Sequence, residues 1–231
     1  MIRQNPAQIF KSDLRTITKS DLVMAVSTLN YEEKLNSKPK TFGSLKLFTE
    51  IILAPSGKKF TYLDTDTDIF LLPLFGGIDY LDNLGDKDFI RVDQIKHISA
   101  QKGMTIEISN TYEENVSYLE IWFTPKSFHY NSNAHPFQFD LSERNKLYSL
   151  FSLTNAKGFI GLYDGRREGN YQLKKHLNGV FVFVVNGAFE VENRLLEAKD
   201  GLSLTNTGII EWEALSENAL LIVLEIPAEN F

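Results

Sequence analysis

The fold class is decided by one stretch of the chain, Val116-Ser117-Tyr118-Leu119-Glu120-Ile121-Trp122-Phe123-Thr124-Pro125. Its side chains alternate, so that Tyr118, Glu120 and Trp122 share one face of an extended segment and the intervening apolar residues share the other. Pro125 then ends the segment, because proline has no backbone N–H to donate to a sheet. This is the period of a β-strand.

Apolar runs of the same kind, each closed by a turn signal, fill the chain from Leu45 onward. They include Leu47–Ala54, Phe60–Phe75, Ile78–Leu81 and Phe89–Ile98, with turns at Pro55-Ser56-Gly57, Gly76-Gly77 and Asp82-Asn83-Leu84-Gly85. Helical patterns are few, and Lys19–Leu29 is the main one, weakly amphipathic. The sequence therefore predicts an all-β protein with few short helices.

The second half of the chain repeats the first. Three pairs of segments resemble each other: Leu74–Tyr80 and Val184–Glu190, Val92–Ile95 and Lys199–Leu202, and Lys102–Thr105 and Thr207–Ile210. The same spacing separates all three pairs to within a short loop insertion, which favours a duplicated barrel over one large sandwich. A polar stretch, residues 126–133, separates the halves. We expect two domains, residues 1–130 and 131–231.

Composition narrows the classes of function. The chain of 231 residues has a net charge of -6 and no basic run longer than a pair of residues, so direct nucleic-acid binding is not expected. It has no cysteine, which excludes disulfides and thiolate chemistry. The first residues lack the apolar core of a signal peptide, and no apolar stretch is long enough for a membrane span. We expect a cytoplasmic protein without membrane contact.

Several motifs follow one another in a set order: Thr41-Phe42-Gly43-Ser44-Leu45-Lys46, Gly76-Gly77, Ser99-Ala100-Gln101-Lys102-Gly103-Met104, Asn110, Tyr118–Pro125, Gln138-Phe139 and Leu220–Pro227. In this order and spacing they resemble the pirin-like bicupins, a family that includes bacterial quercetin 2,3-dioxygenase-like proteins. The resemblance covers nearly the whole chain and is weakest before residue 40. It implies two tandem cupin barrels of the double-stranded β-helix, or jelly-roll, type.

The resemblance also implies where a metal would be bound. In that family iron is held by three His and one Glu, on two pairs of residues that share a strand face because they stand one residue apart. On this sequence the first pair falls at Tyr62 and Asp64, and the second at Ile106 and Ile108. No His stands at these positions, and isoleucine cannot coordinate a metal. We therefore predict a cavity at these four residues with no catalytic group, no metal and no cofactor.

An oxygen-rich alternative stays open. Asp64, Asp66 and Asp68 alternate with threonines, so on a strand their carboxylates would share the face of Tyr62 and suit a hard cation. A register slip of one residue in the second pair would add Glu107. Asp66, Asp68 and Glu107 are thus fallback polar candidates. The competing interpretation is an acidic loop neutralised by nearby lysines or by solvent.

Two hypotheses of function follow. The first is a non-enzymatic pirin relative whose N-terminal barrel binds a small molecule or serves as a scaffold for a protein partner. The second is a metal-dependent oxygenase that uses the rearranged oxygen-rich site. The sequence favours the first, because the family's ligands are missing. The four histidines, His97, His129, His135 and His176, are scattered and are expected to be surface or hydrogen-bonded residues.

Overall fold

The computed structural model describes residues 6–30, 40–126 and 135–227. In chain order its strands are β1 (Ala7–Phe10), β2 (Thr16–Lys19), β3 (Val23–Leu29), β4 (Leu45–Leu53), β5 (Lys58–Tyr62), β6 (Thr67–Phe75), β7 (Ile78–Asp82), β8 (Lys87–Ile90), β9 (Gln94–Ala100), β10 (Thr105–Ser109), β11 (Val116–Phe123), β12 (Phe137–Gln138), β13 (Tyr148–Ser152), β14 (Lys157–Tyr163), β15 (Glu168–Gln172), β16 (Gly179–Asn186), β17 (Ala188–Val191), β18 (Arg194–Glu197), β19 (Gly201–Leu204), β20 (Ile209–Ala214) and β21 (Ala219–Ile226). One short 3₁₀ turn spans Ser12–Leu14. The prediction of an all-β fold is confirmed.

The chain divides into two compact units. The N-terminal unit comprises Thr16–Thr41 and Leu45–Phe139, and the C-terminal unit comprises Met1–Arg15, Phe42–Ser44 and Asp140–Phe231. The sequence placed residues 1–130 together, whereas the contacts assign the first strand to the other unit. The reason is hydrogen bonding, because β1 pairs with β19 of the C-terminal unit. Lys11 and Ser12, which follow β1, both donate hydrogen bonds to Asp200 of the same unit.

The N-terminal unit is built from a seven-stranded sheet, in the order β12-β9-β6-β11-β4-β3-β2, and a four-stranded sheet, in the order β5-β10-β7-β8. Alternation places one set of side chains between the sheets. The resulting core includes Tyr80, Ile106, Ile108, Tyr118 and Trp122. The strand that decided the fold class, β11, lies near the middle of the larger sheet and pairs with both β4 and β6.

The C-terminal unit has a six-stranded sheet, in the order β1-β19-β16-β21-β14-β13, and a four-stranded sheet, in the order β15-β20-β17-β18. Its core is aliphatic and aromatic, with Tyr163, Phe189 and Trp212 among the large side chains. The N-terminal segment is fixed to this unit by Asp200, which is fully buried. That carboxylate accepts hydrogen bonds from Lys11 Nζ at 2.5 Å and from the backbone N–H of Ser12 at 2.7 Å.

The two units share one topology. Adding ten to each strand number converts the order β5-β10-β7-β8 into β15-β20-β17-β18, and β9-β6-β11-β4-β3 into β19-β16-β21-β14-β13. The repeat read from the sequence marks the same turn in each unit, where Gly76 and Gly187 have positive φ angles of 70° and 78°. The duplicated barrel is therefore confirmed by the strand pairing.

The helical interpretation of Lys19–Leu29 is wrong. These residues form the end of β2 and the whole of β3, which pairs with β2 on one side and β4 on the other. Pairing to the sheet outweighs the weak helical pattern, since β-strand preference depends mainly on neighbouring strands. Within the described ranges, no helix has the length and apolar character that crossing a membrane requires.

Candidate functional site

The first predicted pair lies on the outside of the N-terminal unit. Tyr62 is 66% exposed and stands opposite Thr105 in the β5–β10 pairing. Asp64 is also exposed and follows the end of β5. The side chains of β5 that face inward are Lys59 and Thr61, which are opposite Ile108 and Ile106. The register is therefore shifted by one residue from the one that the resemblance implied.

The second predicted pair faces the interior. Ile106 and Ile108 are 3% and 2% exposed and belong to the core of the unit. Because Tyr62 and Asp64 are exposed, the four predicted residues do not surround one cavity. Tyr62 alone lies at the mouth of the cavity described below.

The oxygen-rich candidates are dispersed. Asp66 lies in the loop between β5 and β6 and accepts a hydrogen bond from the backbone N–H of Lys102 at 2.8 Å. Asp68, on β6, is 2.9 Å from His97 Nε2. Glu107 is paired with Lys58 at 2.7 Å. Among the residues that the structure describes, no group of three or more His, Cys, Asp or Glu side chains could hold a metal ion.

The histidines form no shared site within the described ranges. His97 is half-buried, bonded to Asp68 and stacked on Phe70 with ring centroids 4.6 Å apart. His135 and His176 are exposed, and His129 lies outside the described residues. These placements agree with surface or hydrogen-bonded roles.

An inward ion pair lies in the N-terminal interior. Lys59 Nζ lies 3.2 Å from Oε1 and 2.9 Å from Oε2 of Glu120. Trp122 Nε1 donates to Glu120 Oε1 at 2.9 Å, and Lys59 Nζ also donates to the hydroxyl of Thr61 at 2.6 Å. The side chains of Lys59 and Glu120 are 22% and 4% exposed. The pair is therefore largely removed from water but reachable from one side.

The elements that position this pair explain its geometry. Glu120 and Trp122 occupy alternate positions of β11, so both point to the same face of the sheet. Lys59 comes from β5, at the edge of the other sheet, and reaches across to them. Thr49 stands directly opposite Glu120 on β4 and donates to Ser27 Oγ at 2.9 Å. Two sheets thus bring charged and hydroxyl side chains to one place.

A cavity of about 310 Å³ opens beside the ion pair. Its lining mixes polar residues, among them Lys59, Glu120 and Thr49, with apolar residues such as Trp122. It belongs entirely to the N-terminal unit. The volume falls at the lower end of the range for small-molecule sites, roughly 300–1,000 Å³.

The negative charge of Glu120 affects its neighbour on β11. Tyr118 is fully buried, and its hydroxyl makes no hydrogen bond within the described residues. Burial raises the pKa of the Tyr118 phenol well above its ordinary value, and the nearby Glu120 carboxylate raises that pKa further. This phenol stays protonated throughout the physiological range.

A second charged cluster lies elsewhere in the same interior. Lys96 on β9 is 1% exposed and forms ion pairs with Asp88 and, at 3.0 Å, with Asp86. Its ammonium lies 4.6 Å from the centroid of the Tyr80 ring, and the Tyr80 hydroxyl donates to Asp82 at 2.7 Å. No cavity residue belongs to this cluster, so we regard it as structural.

The interior residues do not fit an iron site. A non-haem iron site uses imidazole and carboxylate ligands and leaves positions open for oxygen and substrate. Here the inward positions near the predicted site carry an ammonium, a hydroxyl and two alkyl groups, from Lys59, Thr61, Ile106 and Ile108. Glu120 is already compensated by Lys59. A divalent cation beside that ammonium would be repelled.

Lys59 and Glu120 were not predicted as a pair from the sequence. The available signal was Glu120 itself, a carboxylate on the face that it shares with Tyr118 and Trp122 in an otherwise apolar strand. A charge in the middle of a buried strand needs a partner. Nothing in the sequence shows that this partner is Lys59 rather than Lys58.

Comparison with known proteins agrees with this architecture. Residues 141–226 match the family model of the quercetinase C-terminal cupin domain. A pirin-like protein of Caulobacter vibrioides is 25% identical over 194 residues, covering 79% of this chain and 83% of the relative. Both similarities support the same family.

Solved structures share the fold. YhhW from Escherichia coli superposes with a TM-score of 0.84 at 16% identity, covering 96% of this chain and 98% of that one. A further structure of that bacterial pirin is a complex with nickel(II), at 14% identity. A quercetin 2,3-dioxygenase from Acinetobacter baumannii gives a TM-score of 0.70 at 17% identity, covering 96% of this chain and 80% of its own. At these identities the structural likeness establishes the fold alone.

Proposed function

We propose that this chain, which is similar to pirin-like proteins and carries a match to the quercetinase C-terminal cupin domain, binds a small molecule in its N-terminal barrel without a resident metal ion. The observation that carries the proposal is the Lys59–Glu120 ion pair beside a cavity of about 310 Å³. The cavity combines apolar lining residues with a few polar groups, which is the usual composition of a ligand site.

The energetics of the ion pair support a role in binding. Replacing a buried ion pair with apolar residues of similar volume is often neutral or stabilising, so such a pair is weak evidence for a purely structural role. Lys59 and Glu120 are also partly reachable from the cavity, unlike Lys96, which is 1% exposed. A ligand could therefore bond directly to the first pair but not to the second.

The metal-dependent oxygenase is the weaker alternative. The nickel(II) complex and the solved dioxygenase structure belong to proteins that are 14% and 17% identical to this chain. In this chain Asp64 and Asp66 are exposed, Asp68 is bonded to His97, and Glu107 is paired with Lys58. A protein partner is a further alternative, but no specific contact favours it.

Metal analysis tests the proposal that the N-terminal barrel has no resident metal ion. We expect protein purified without chelator to contain only substoichiometric iron, nickel or manganese. We also expect none of these ions to raise the melting temperature, because a ligand that binds the native state must stabilise it. A stoichiometric metal that disappears in Asp64→Ala or Glu120→Gln would overturn the proposal in favour of the oxygenase.

Small-molecule binding is tested with the indole resonances of the two tryptophans of the chain. Trp122 lines the cavity, whereas Trp212 lies in the core of the C-terminal unit. In a ¹⁵N-labelled sample we expect some compounds of a library of neutral, anionic, cationic and aromatic small molecules to shift the Trp122 indole resonance and leave Trp212 unchanged. A library that shifts neither resonance would contradict the proposal.

A further inference from the structure

We infer that the ligand of the N-terminal cavity is a neutral, polyhydroxylated compound of the size of a monosaccharide or cyclic polyol. This inference rests on the proposed function, since it names the class of molecule that the same cavity binds. Four properties of the cavity point to this class: its balanced charge, its hydroxyl groups, its apolar lining residues and its volume.

The charge of the lining is balanced. Lys59 and Glu120 are the charged residues of the cavity wall, and their charged groups are 2.9 Å apart. An anionic ligand bound to Lys59 would have to compete with Glu120 and leave that carboxylate buried without its cation, and a cationic ligand would do the converse to Lys59. A neutral ligand avoids both costs.

The polar lining is rich in groups that both donate and accept. Ser27, Thr49 and Thr61 contribute hydroxyls, each with one donor and two acceptor positions. Lys59 adds donors and Glu120 adds acceptors. Ligand hydroxyls also donate and accept, so a compound with several of them can satisfy this mixed wall from many positions.

The apolar lining residues and the volume limit the shape of the ligand. Trp122, Leu47 and Ile51 contribute apolar surface to the cavity, against which the C–H face of a saturated ring can pack. A volume near 310 Å³ corresponds to about ten water molecules at the volume of liquid water, roughly 30 Å³ each. That suits a single substituted ring better than a three-ring flavonol.

The experiment compares defined probes on the same ¹⁵N-labelled protein. Glucose, galactose and myo-inositol are the neutral probes, gluconate and glucosamine are their charged analogues, and quercetin is the flavonol. We expect at least one neutral probe to shift the Trp122 indole resonance saturably, because Trp122 Nε1 donates to Glu120, and to leave Trp212 unchanged. We expect the charged analogues to bind at least ten-fold more weakly.

Two variants test whether the ligand binds beside Lys59 and Glu120. Lys59→Met combined with Glu120→Gln removes both charges while keeping an acceptor for Trp122, and we expect it to lose the response. Lys58→Met is the matched control, since Lys58 is paired with Glu107 instead, and we expect it to respond as the wild type does. A response that survives the double variant would overturn the inference.

The remaining outcomes separate the two proposals. If only gluconate, glucosamine or quercetin shifts Trp122, the inferred ligand class is wrong while small-molecule binding stands. If no probe of any class shifts Trp122, including those of the wider library, both the inferred class and the proposed function fail.

Discussion

The two units carry different residues at equivalent inward positions of their smaller sheets. In the N-terminal unit, the second residue of β5 is Lys59, opposite Ile108. In the C-terminal unit, the second residue of β15 is Gly169, opposite Trp212. The indole of Trp212 is 3% exposed and fills the space that the glycine leaves, since a Cβ on Gly169 would lie 2.5 Å from Trp212 Nε1.

The same contrast holds on the central strands. Along β11 the third alternate side chain is Glu120, whereas along β21 it is Val223, which belongs to the apolar core of its unit. At these positions the C-terminal barrel has apolar side chains, whereas the N-terminal barrel keeps a charged pair beside a cavity. The C-terminal barrel also buries a carboxylate, Glu225, but this group accepts hydrogen bonds from the neutral side chains of Tyr171 and Asn178 and from a backbone N–H, and it has no cationic partner among these groups. The N-terminal barrel, with its partly accessible ion pair, is therefore the one to test for binding.

The largest loss of stability is expected from Lys96→Met in the N-terminal unit. Removing the Lys96 ammonium would leave Asp86 and Asp88 partly buried without their cation, and breaking a buried ion pair costs about 3–5 kcal/mol. Urea unfolding measures this loss. Lys87→Met, at an exposed position of β8, serves as the control and should change stability by less than about 0.5 kcal/mol. Equal stability of both variants would mean that the N-terminal interior does not depend on its charges.

A smaller effect is expected from Gly169→Ala in the C-terminal unit. The added methyl group would overlap the indole of Trp212, and such overpacking costs about 1–3 kcal/mol. Gly208→Ala is the matched control, because its nearest neighbour would be His176 Cβ at 3.7 Å. If Gly169→Ala is as stable as Gly208→Ala, the C-terminal barrel is less tightly packed than the comparison requires.

The smallest expected effect is a loss of stability at alkaline pH. Burial raises the pKa of Tyr163, in the C-terminal core, from 10.0 to about 12. Because the folded state resists ionisation of this phenol while the unfolded chain does not, stability is fully present below pH 10 and is lost as the pH rises towards 12. Unfolding by urea at pH 9 and pH 11 should show the loss, and Tyr163→Phe should reduce it. A tyrosinate absorbance transition for Tyr163 near pH 10 would contradict a dry C-terminal core.

Much of the fold could be predicted from the sequence, because its signals are local and repeated. The alternation of Val116–Phe123 and the turns at Gly76 and Gly187 survive in the structure as a central strand and two equivalent turns. The pairing of β1 with the C-terminal unit could not be predicted, since Ala7–Phe10 has no pattern that identifies its partner strand.

The site could be predicted only in part, because β5 inverts the usual alternation. Its aromatic residues Phe60 and Tyr62 are exposed, whereas the polar Lys59 and Thr61 face inward. Hydrophobic patterning places aromatics inside, so it assigns the wrong face wherever the interior is polar. Such failures of local rules are expected at functional sites.

The most direct test of the account is the stability of Lys59 and Glu120 variants. If the ion pair serves binding, Lys59→Met alone should cost about 2–3 kcal/mol by leaving the carboxylate uncompensated, with the partial exposure of Lys59 reducing the full penalty. The double variant with Glu120→Gln should then unfold at a urea concentration equal to or above that of the wild type. A double variant as unstable as the single one would show that the pair holds the barrel together, and would contradict the claim that the N-terminal interior is kept charged for a ligand.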